Sequence, residues 1–134
     1  RFVIAGKNPS PSLKKESLKN KNVQLIENPA EEEMAALIKN AHIHLLPSFN
    51  TTGTKIKLLN ALFNGRFIVT NAVSLEGTGL ESLCDIEEAP SDYIKRIKEL
   101  LEISFNDNEI IKRKTLLENL HDNEKNSLQL MKWL

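Results

Sequence analysis

Between Pro47 and Lys55 the chain reads Pro-Ser-Phe-Asn-Thr-Thr-Gly-Thr-Lys, and several kinds of anion-binding group fall together there. Thr51, Thr52 and Thr54 supply hydroxyls, Gly53 lets a ligand approach the backbone closely, and Lys55 stands where a helical pattern begins. The first amides of a helix have no partner inside it, and the helix dipole adds positive potential at that end, so the arrangement suits phosphate. Behind it Lys57, Asn60 and Asn64 recur at helical steps as a polar stripe, beside an apolar one of Ile56, Leu59 and Phe63. The competing reading of the same residues is a helix cap and a solvated face. A second loop, Gly6-Lys7-Asn8, also offers a glycine and a lysine. It lacks the Gly-x-Gly-x-x-Gly spacing of a dinucleotide site.

Other reactive residue types read as structural. His42 and His44 are two apart on an apolar run, hence on one face of a strand, and would suit zinc with a third ligand. No third His or Cys lies nearby in sequence, so a buried or partner-facing pair is expected. Cys84 is the single cysteine, which excludes an internal disulfide, and it reads as a small core residue. Ser48 lacks the Gly-x-Ser-x-Gly setting of a hydrolase nucleophile. Glu31, Glu32 and Glu33 fit the first turn of a helix, and Asp85, Glu87 and Glu88 a solvated edge rather than a metal site.

The elements that must carry these residues alternate. Phe2 to Ala5, Val23 to Ile26, His42 to Leu46 and Phe67 to Val69 read as short strands, with a shorter fifth at Asp85 to Glu87. Helical patterns follow at Leu13 to Leu18, after Asn28-Pro29-Ala30-Glu31, and at Thr54 to Asn64, closed by Gly65. In the second of these Asn28 is expected to cap, with proline in the first turn and Glu31 reaching back. Leu75 to Leu83 is ambiguous, with a helical turn near Leu80. From Ser91 the pattern is helical to the end. Alternation of this kind implies βαβ units, so the expected fold is α/β, a Rossmann-like doubly wound parallel sheet with a helical C-terminal tail over about 91–134. Ligands then gather at the carboxyl ends of the strands.

Composition sets the outer bounds. The 134 residues carry 18 basic and 18 acidic side chains, with 40% hydrophobic and 27% charged residues. That suits one domain, residues 1–134, with a real core. Zero net charge argues against a nucleic-acid partner held by phosphate neutralisation. No apolar run approaches the roughly 20 residues of a membrane span. The opening Arg-Phe-Val-Ile-Ala-Gly has no initiator methionine and begins inside a strand, so the chain is expected to be a fragment of a longer protein.

The run Gly53-Thr54-Lys55-Ile56-Lys57-Leu58-Leu59-Asn60-Ala61-Leu62-Phe63-Asn64-Gly65-Arg66-Phe67-Ile68-Val69-Thr70 resembles the donor-binding segment of retaining GT-B glycosyltransferases of group 1, the family 4-like branch. Other segments agree in order. Phe2 through Pro9 resembles the strand and glycine loop that opens much of this domain, and Asn22 through Glu27 its next strand. Pro47-Ser48 resembles the end of the strand before the donor loop, and Leu75-Glu76-Gly77 an Ala-Glu-Gly segment after the following strand. The likeness covers about the first hundred residues.

The resemblance implies the C-terminal, donor-binding half of a two-domain enzyme that moves a sugar from a nucleoside-diphosphate sugar to a glycan or lipid-linked acceptor. It implies that Thr51, Thr52, Gly53, Thr54, Lys55 and Lys57 hold the diphosphate and sugar. Gly6, Lys7 and Glu27 would lie in a loop region near the nucleobase or phosphate. The family's acidic donor-binding pair maps onto Thr52 and Asn60, and neither is a carboxylate. Asn60 remains a ribose-binding candidate through its amide oxygen, with a weaker hold than a charged acceptor. Chemistry in such a site stabilises a departing nucleoside diphosphate, an electrostatic task for lysines and helix-end amides. No catalytic residue is assigned. No metal or other cofactor is expected, since the family resembled does not depend on one. The partner implied is the N-terminal acceptor domain of the same protein, placed in the cytoplasm or at the inner face of its membrane, and the fragment alone is expected to be inactive. The alternative from another class is a non-catalytic α/β binding or assembly domain that kept the fold and lost the acidic pair. An epimerase or hydrolase on the same scaffold ranks third.

Overall fold

The computed structural model describes residues 1–50 and 55–120. It divides into two compact units, Arg1–Leu37 and Ile38–Leu134. The α/β class and parallel strands expected from the alternation are present, with the strands in two hydrogen-bonded ladders.

In the first unit, β1 (Phe2–Gly6) and β2 (Val23–Glu27) run parallel, with Phe2 opposite Val23 and Gly6 opposite Glu27. Between them lies α1 (Pro11–Ser17). Ser10 caps it by accepting from the Leu13 amide, and Pro11 occupies the first helical position, where its missing N–H costs nothing. The helix therefore starts two residues before Leu13, where the sequence pattern becomes helical.

Helix α2 (Glu31–Asn40) spans the boundary between the units, with its three glutamates in the first turn as expected. The start differs from the sequence reading. Asn28 has a positive φ of 50°, and its Oδ1 accepts from the Asn8 amide at 2.9 Å. The Asn28 amide donates to the Gly6 carbonyl at 2.9 Å. Asparagine tolerates the left-handed region better than most residues, and here it closes a turn between strand ends instead of capping α2.

The second unit has a three-stranded parallel ladder in the order β3 (Ile43–Leu45), β4 (Phe67–Thr70), β5 (Asp85–Ile86). Ile43 pairs with Phe67, and Val69 with Asp85. Helix α3 (Ile56–Asn64) joins β3 to β4. A four-residue helix, α4 (Ala72–Leu75), and a 3-10 turn at Glu81–Leu83 join β4 to β5. Helices α5 (Pro90–Leu101) and α6 (Asn108–Leu120) follow.

The core is built on α3 and β4: Leu58, Ala61, Leu62, Ile68, Leu75, Leu80 and, from α6, Leu117. The buried stripe of α3 is thus Leu58, Ala61 and Leu62. Leu59 and Phe63 are half-buried, and Ile56 is 61% exposed. The helix has apolar residues around most of its circumference, and the strand behind it selects the face one residue away from the one read first. Cys84 packs against this core, and burial pushes its thiol up to about 12, which keeps it protonated and unreactive.

Candidate functional site

Helix α3 is the element on which the candidate anion site rests. Thr51, Thr52, Gly53 and Thr54 lie outside the described residues. Lys55 occupies the N-cap position with φ −80° and ψ 50°, and among the described residues no side chain caps the helix. The Lys55 ammonium donates to the Asn50 carbonyl at 2.8 Å, which leaves further N–H groups on the same nitrogen for another acceptor. Lys57 and Asn60 are exposed on the helix that follows. The Asn64 side-chain amide donates back to the Asn60 carbonyl at 3.2 Å.

The charge pattern of α3 opposes its own dipole. Helices α2, α5 and α6 each have an acidic residue in the first turn, as the positive end of a helix favours. Helix α3 has none there; it has Lys55 at the cap and Lys57 in the first turn. Two cations at a helix N-terminus cost stability, about 0.3–1 kcal/mol each. A bound anion reverses that cost.

The strand end leading to this region is held by side chains that sequence reasoning did not single out. Thr70 Oγ1 donates to the Leu46 carbonyl at 2.8 Å, and Ser74 Oγ lies 3.1 Å from the same oxygen. Asn71 accepts from the Ser48 amide at 3.0 Å and donates to the Ser48 carbonyl at 2.8 Å. Glu88 accepts from the Ala72 amide at 2.8 Å, which places a carboxylate at the start of α4. Ladder bonds fall on alternate residues of β3, so the Ser48 amide, next after that of Leu46 to face β4, is the group that needs a partner.

At the other end of α3, Gly65 packs against the His44 ring, and Arg113 of α6 donates to the Gly65 carbonyl at 2.5 Å and the Arg66 carbonyl at 2.8 Å. His42 meets the Leu100 carbonyl at 2.9 Å and stacks edge-on against Phe67. His44 Nε2 is buried and unpartnered among the described residues. The two histidines therefore sit in packing roles, and no group of three His, Cys, Asp or Glu among the described residues is arranged to hold a metal ion. Asp85 is taken by Arg96 at 2.8 Å.

Burial lowers the His44 pKa below its ordinary value of 6.5, and the Arg113 cation pushes the same way against a hydrogen bond to the Ile38 backbone. The folded state therefore favours neutral His44. Its contribution is fully present above the unfolded value and is lost as the pH falls through that value toward the lower folded one. The urea midpoint should drop across this window on acidification, and His44→Gln, which cannot take the proton, should flatten the drop. An unchanged pH slope in the variant would show that His44 is not the group responsible.

In the first unit, Gly6 and Glu27 face each other at the carboxyl ends of β1 and β2. Glu27 is ion-paired with Lys14, so its carboxylate already has a cation, while Lys7 is exposed. A Cβ at Gly6 would meet nothing within 4 Å, so the fold does not itself demand glycine there.

A family model described as Glycosyl transferases group 1 matches residues 1–102, and the chain belongs to that family. One relative is an uncharacterized 44.6 kDa protein in the cps region of Klebsiella pneumoniae, 32% identical over 93 residues. The aligned stretch is 63% of this chain and 24% of that protein, so the chain spans about a quarter of its relative's length. No solved structure gives a significant match. No helix among the described residues is long and apolar enough to cross a membrane.

Proposed function

We propose that this domain is the donor-binding half of a glycosyltransferase and that the N-terminus of α3 receives the diphosphate of a nucleoside-diphosphate sugar. The observation that supports it is the reversed charge pattern of α3, with Lys55 and Lys57 where the chain's other long helices have acids. Lys55 and Lys57 would neutralise the leaving diphosphate, with Thr51–Thr54 completing the loop as read from the sequence. Exposed Asn60 would accept from the ribose hydroxyls. Transfer to a glycan or lipid-linked acceptor is the work of the whole protein with its acceptor domain, in the cytoplasm or at the inner membrane face. The relative from a cps region is consistent with a glycan acceptor. No metal is required by this reading.

Calorimetric titration of the full-length protein with UDP, GDP, ADP and dTDP, and with their sugars, tests it. Saturable binding of one member is expected, weakened about tenfold by Lys55→Ala and less by Asn60→Ala, since a charge-assisted contact is worth more than a neutral one. The absence of carboxylates at positions 52 and 60 favours one competing reading, a non-catalytic domain that kept the fold. Failure of the intact protein to bind any member would select that reading over ours.

A further inference from the structure

We infer that Asn71 is a positioning residue for the Lys55 ammonium, acting through Ser48 and Asn50; this rests on the anion-site reading of Lys55 given above. The backbone ladder between β3 and β4 ends where the Leu46 amide donates to the Val69 carbonyl at 3.0 Å. Bonds to β4 come from alternate residues of β3, so the Ser48 N–H is the next to face it, and it meets no backbone carbonyl. The Asn71 carboxamide takes over, accepting from the Ser48 N–H and donating to the Ser48 C=O, as a neighbouring peptide unit would. The side chain cannot turn without breaking both bonds. Ser74 Oγ donates to Asn71 Oδ1 at 2.8 Å, which fixes the amide's orientation, and Asn71 is only 8% exposed.

From Ser48 the chain of contacts runs outward. Ser48 Oγ donates to the Asn50 carbonyl at 3.0 Å and lies 3.3 Å from the Asn50 amide, which donates to it. The same Asn50 carbonyl receives the Lys55 ammonium at 2.8 Å. A buried amide thus sets a backbone turn, and the turn presents the oxygen that aims the cation. Thr70 holds the Leu46 carbonyl independently of this route, and the Ser74 hydroxyl, released from Asn71, can donate to the same oxygen, so the strand end stays anchored when the Asn71 amide is removed. A cation free to swing over several rotamers pays more entropy on meeting a ligand than one already aimed.

The test compares three variants of the full-length protein by calorimetry against UDP, GDP, ADP and dTDP. Asn71→Ala should weaken nucleotide binding about tenfold. Thr70→Val, which removes a comparable buried hydrogen bond but leaves Ser48 clamped, should weaken it by roughly twofold or less. Asn71→Asp keeps the acceptor for the Ser48 amide and loses the donor for the Ser48 carbonyl; protonation returns that donor. Its affinity relative to the native protein should therefore recover as the pH falls toward the carboxylic-acid range, a recovery that a general packing defect would not show. Equal losses in Asn71→Ala and Thr70→Val, or no recovery in Asn71→Asp, would overturn the inference. Hydrogen exchange at the Ser48 amide separates this failure from that of the anion-site reading, because it needs no ligand. Faster exchange in Asn71→Ala supports the clamp, and unchanged exchange removes it. A native protein that binds none of the nucleotides overturns the anion site, and the positioning role with it, whatever Ser48 does.

Discussion

Replacing Gly65 with alanine is expected to destabilise the Ile38–Leu134 unit by about 2–3 kcal/mol, near the upper end of what overpacking by one methyl group costs. The reason is space and not backbone conformation: φ −98° and ψ −175° are extended values that any residue adopts. A Cβ at this position would collide with His44 Nε2, and it would lie 2.6 Å from the ring Cδ2 and 2.7 Å from the Ala61 carbonyl oxygen. Neither neighbour can move cheaply. The Ala61 carbonyl accepts the Gly65 amide at 2.7 Å and belongs to the last turn of α3. The ring of His44 lies on a strand paired with Ile68, which is fully packed. Urea denaturation checks the loss, and a double-mutant cycle apportions it. His44→Ala should relieve the ring collision but not the carbonyl one, giving a coupling energy of about 1 kcal/mol. A loss below about 0.5 kcal/mol in Gly65→Ala would mean that helix and strand do not approach this closely. Because the same helix has Lys55 at its other end, a shift of its C-terminus should also weaken nucleotide binding.

Gly65 was legible from the sequence as the residue that closes α3, and for a different reason from the one the structure gives. Helix-closing glycines are usually explained by the left-handed region, yet here the absent side chain is what matters. The strands and the long helices were legible because each rests on a local pattern, an apolar run or a helical period, that its own residues supply. What was not legible depended on the partner. Asn28 is as suitable for a cap as for a left-handed turn, and only the nearby Asn8 amide decides between them. Helix α4 has four residues, too few to show a period, and its start is marked by Glu88, which is sixteen residues away. On α3, apolar residues fill more than one stripe, so periodicity could not say that Leu58 and Leu62 are buried while Ile56 is exposed. The site divides in the same way. Lys55 and Lys57 stood out by residue type and position in a helix. Asn71 did not, because its role lies in bonds to a residue 23 positions earlier.

The same dependence on distant partners makes Arg113 the second residue whose loss should be costly. On sequence it belongs to a charged stretch of the tail, Lys112-Arg113-Lys114, of the kind usually solvated. In the structure it is 7% exposed, and its guanidinium donates to the carbonyls of Gly65 and Arg66 while lying 5.5 Å from the centre of the Phe105 ring. No carboxylate pairs with it among the described residues, and burial lowers its pKa, so the cation is held by carbonyl dipoles and a π face. A cation beyond the last turn of α3 also matches the negative end of the helix dipole. Arg113→Met removes the desolvation cost of a buried charge but strands two carbonyls at about 1–3 kcal/mol each, and forfeits a cation–π contact worth about 1 kcal/mol. The net expectation is a loss of about 2–4 kcal/mol. Arg113→Lys keeps the charge without the fork that reaches both oxygens, so it should recover less than half of that loss, as chemical denaturation of the three proteins will show. Full recovery by lysine would mean that charge alone matters. Helix α6, which carries Arg113 and the core residue Leu117, lies beyond the stretch matched by the family model. A chain cut where that match ends would leave Leu58 and Leu62 without Leu117 and the end of α3 without its donor. In this protein, therefore, the helix that presents Lys55 and Lys57 is held at its far end by a segment outside the stretch that the family model matches.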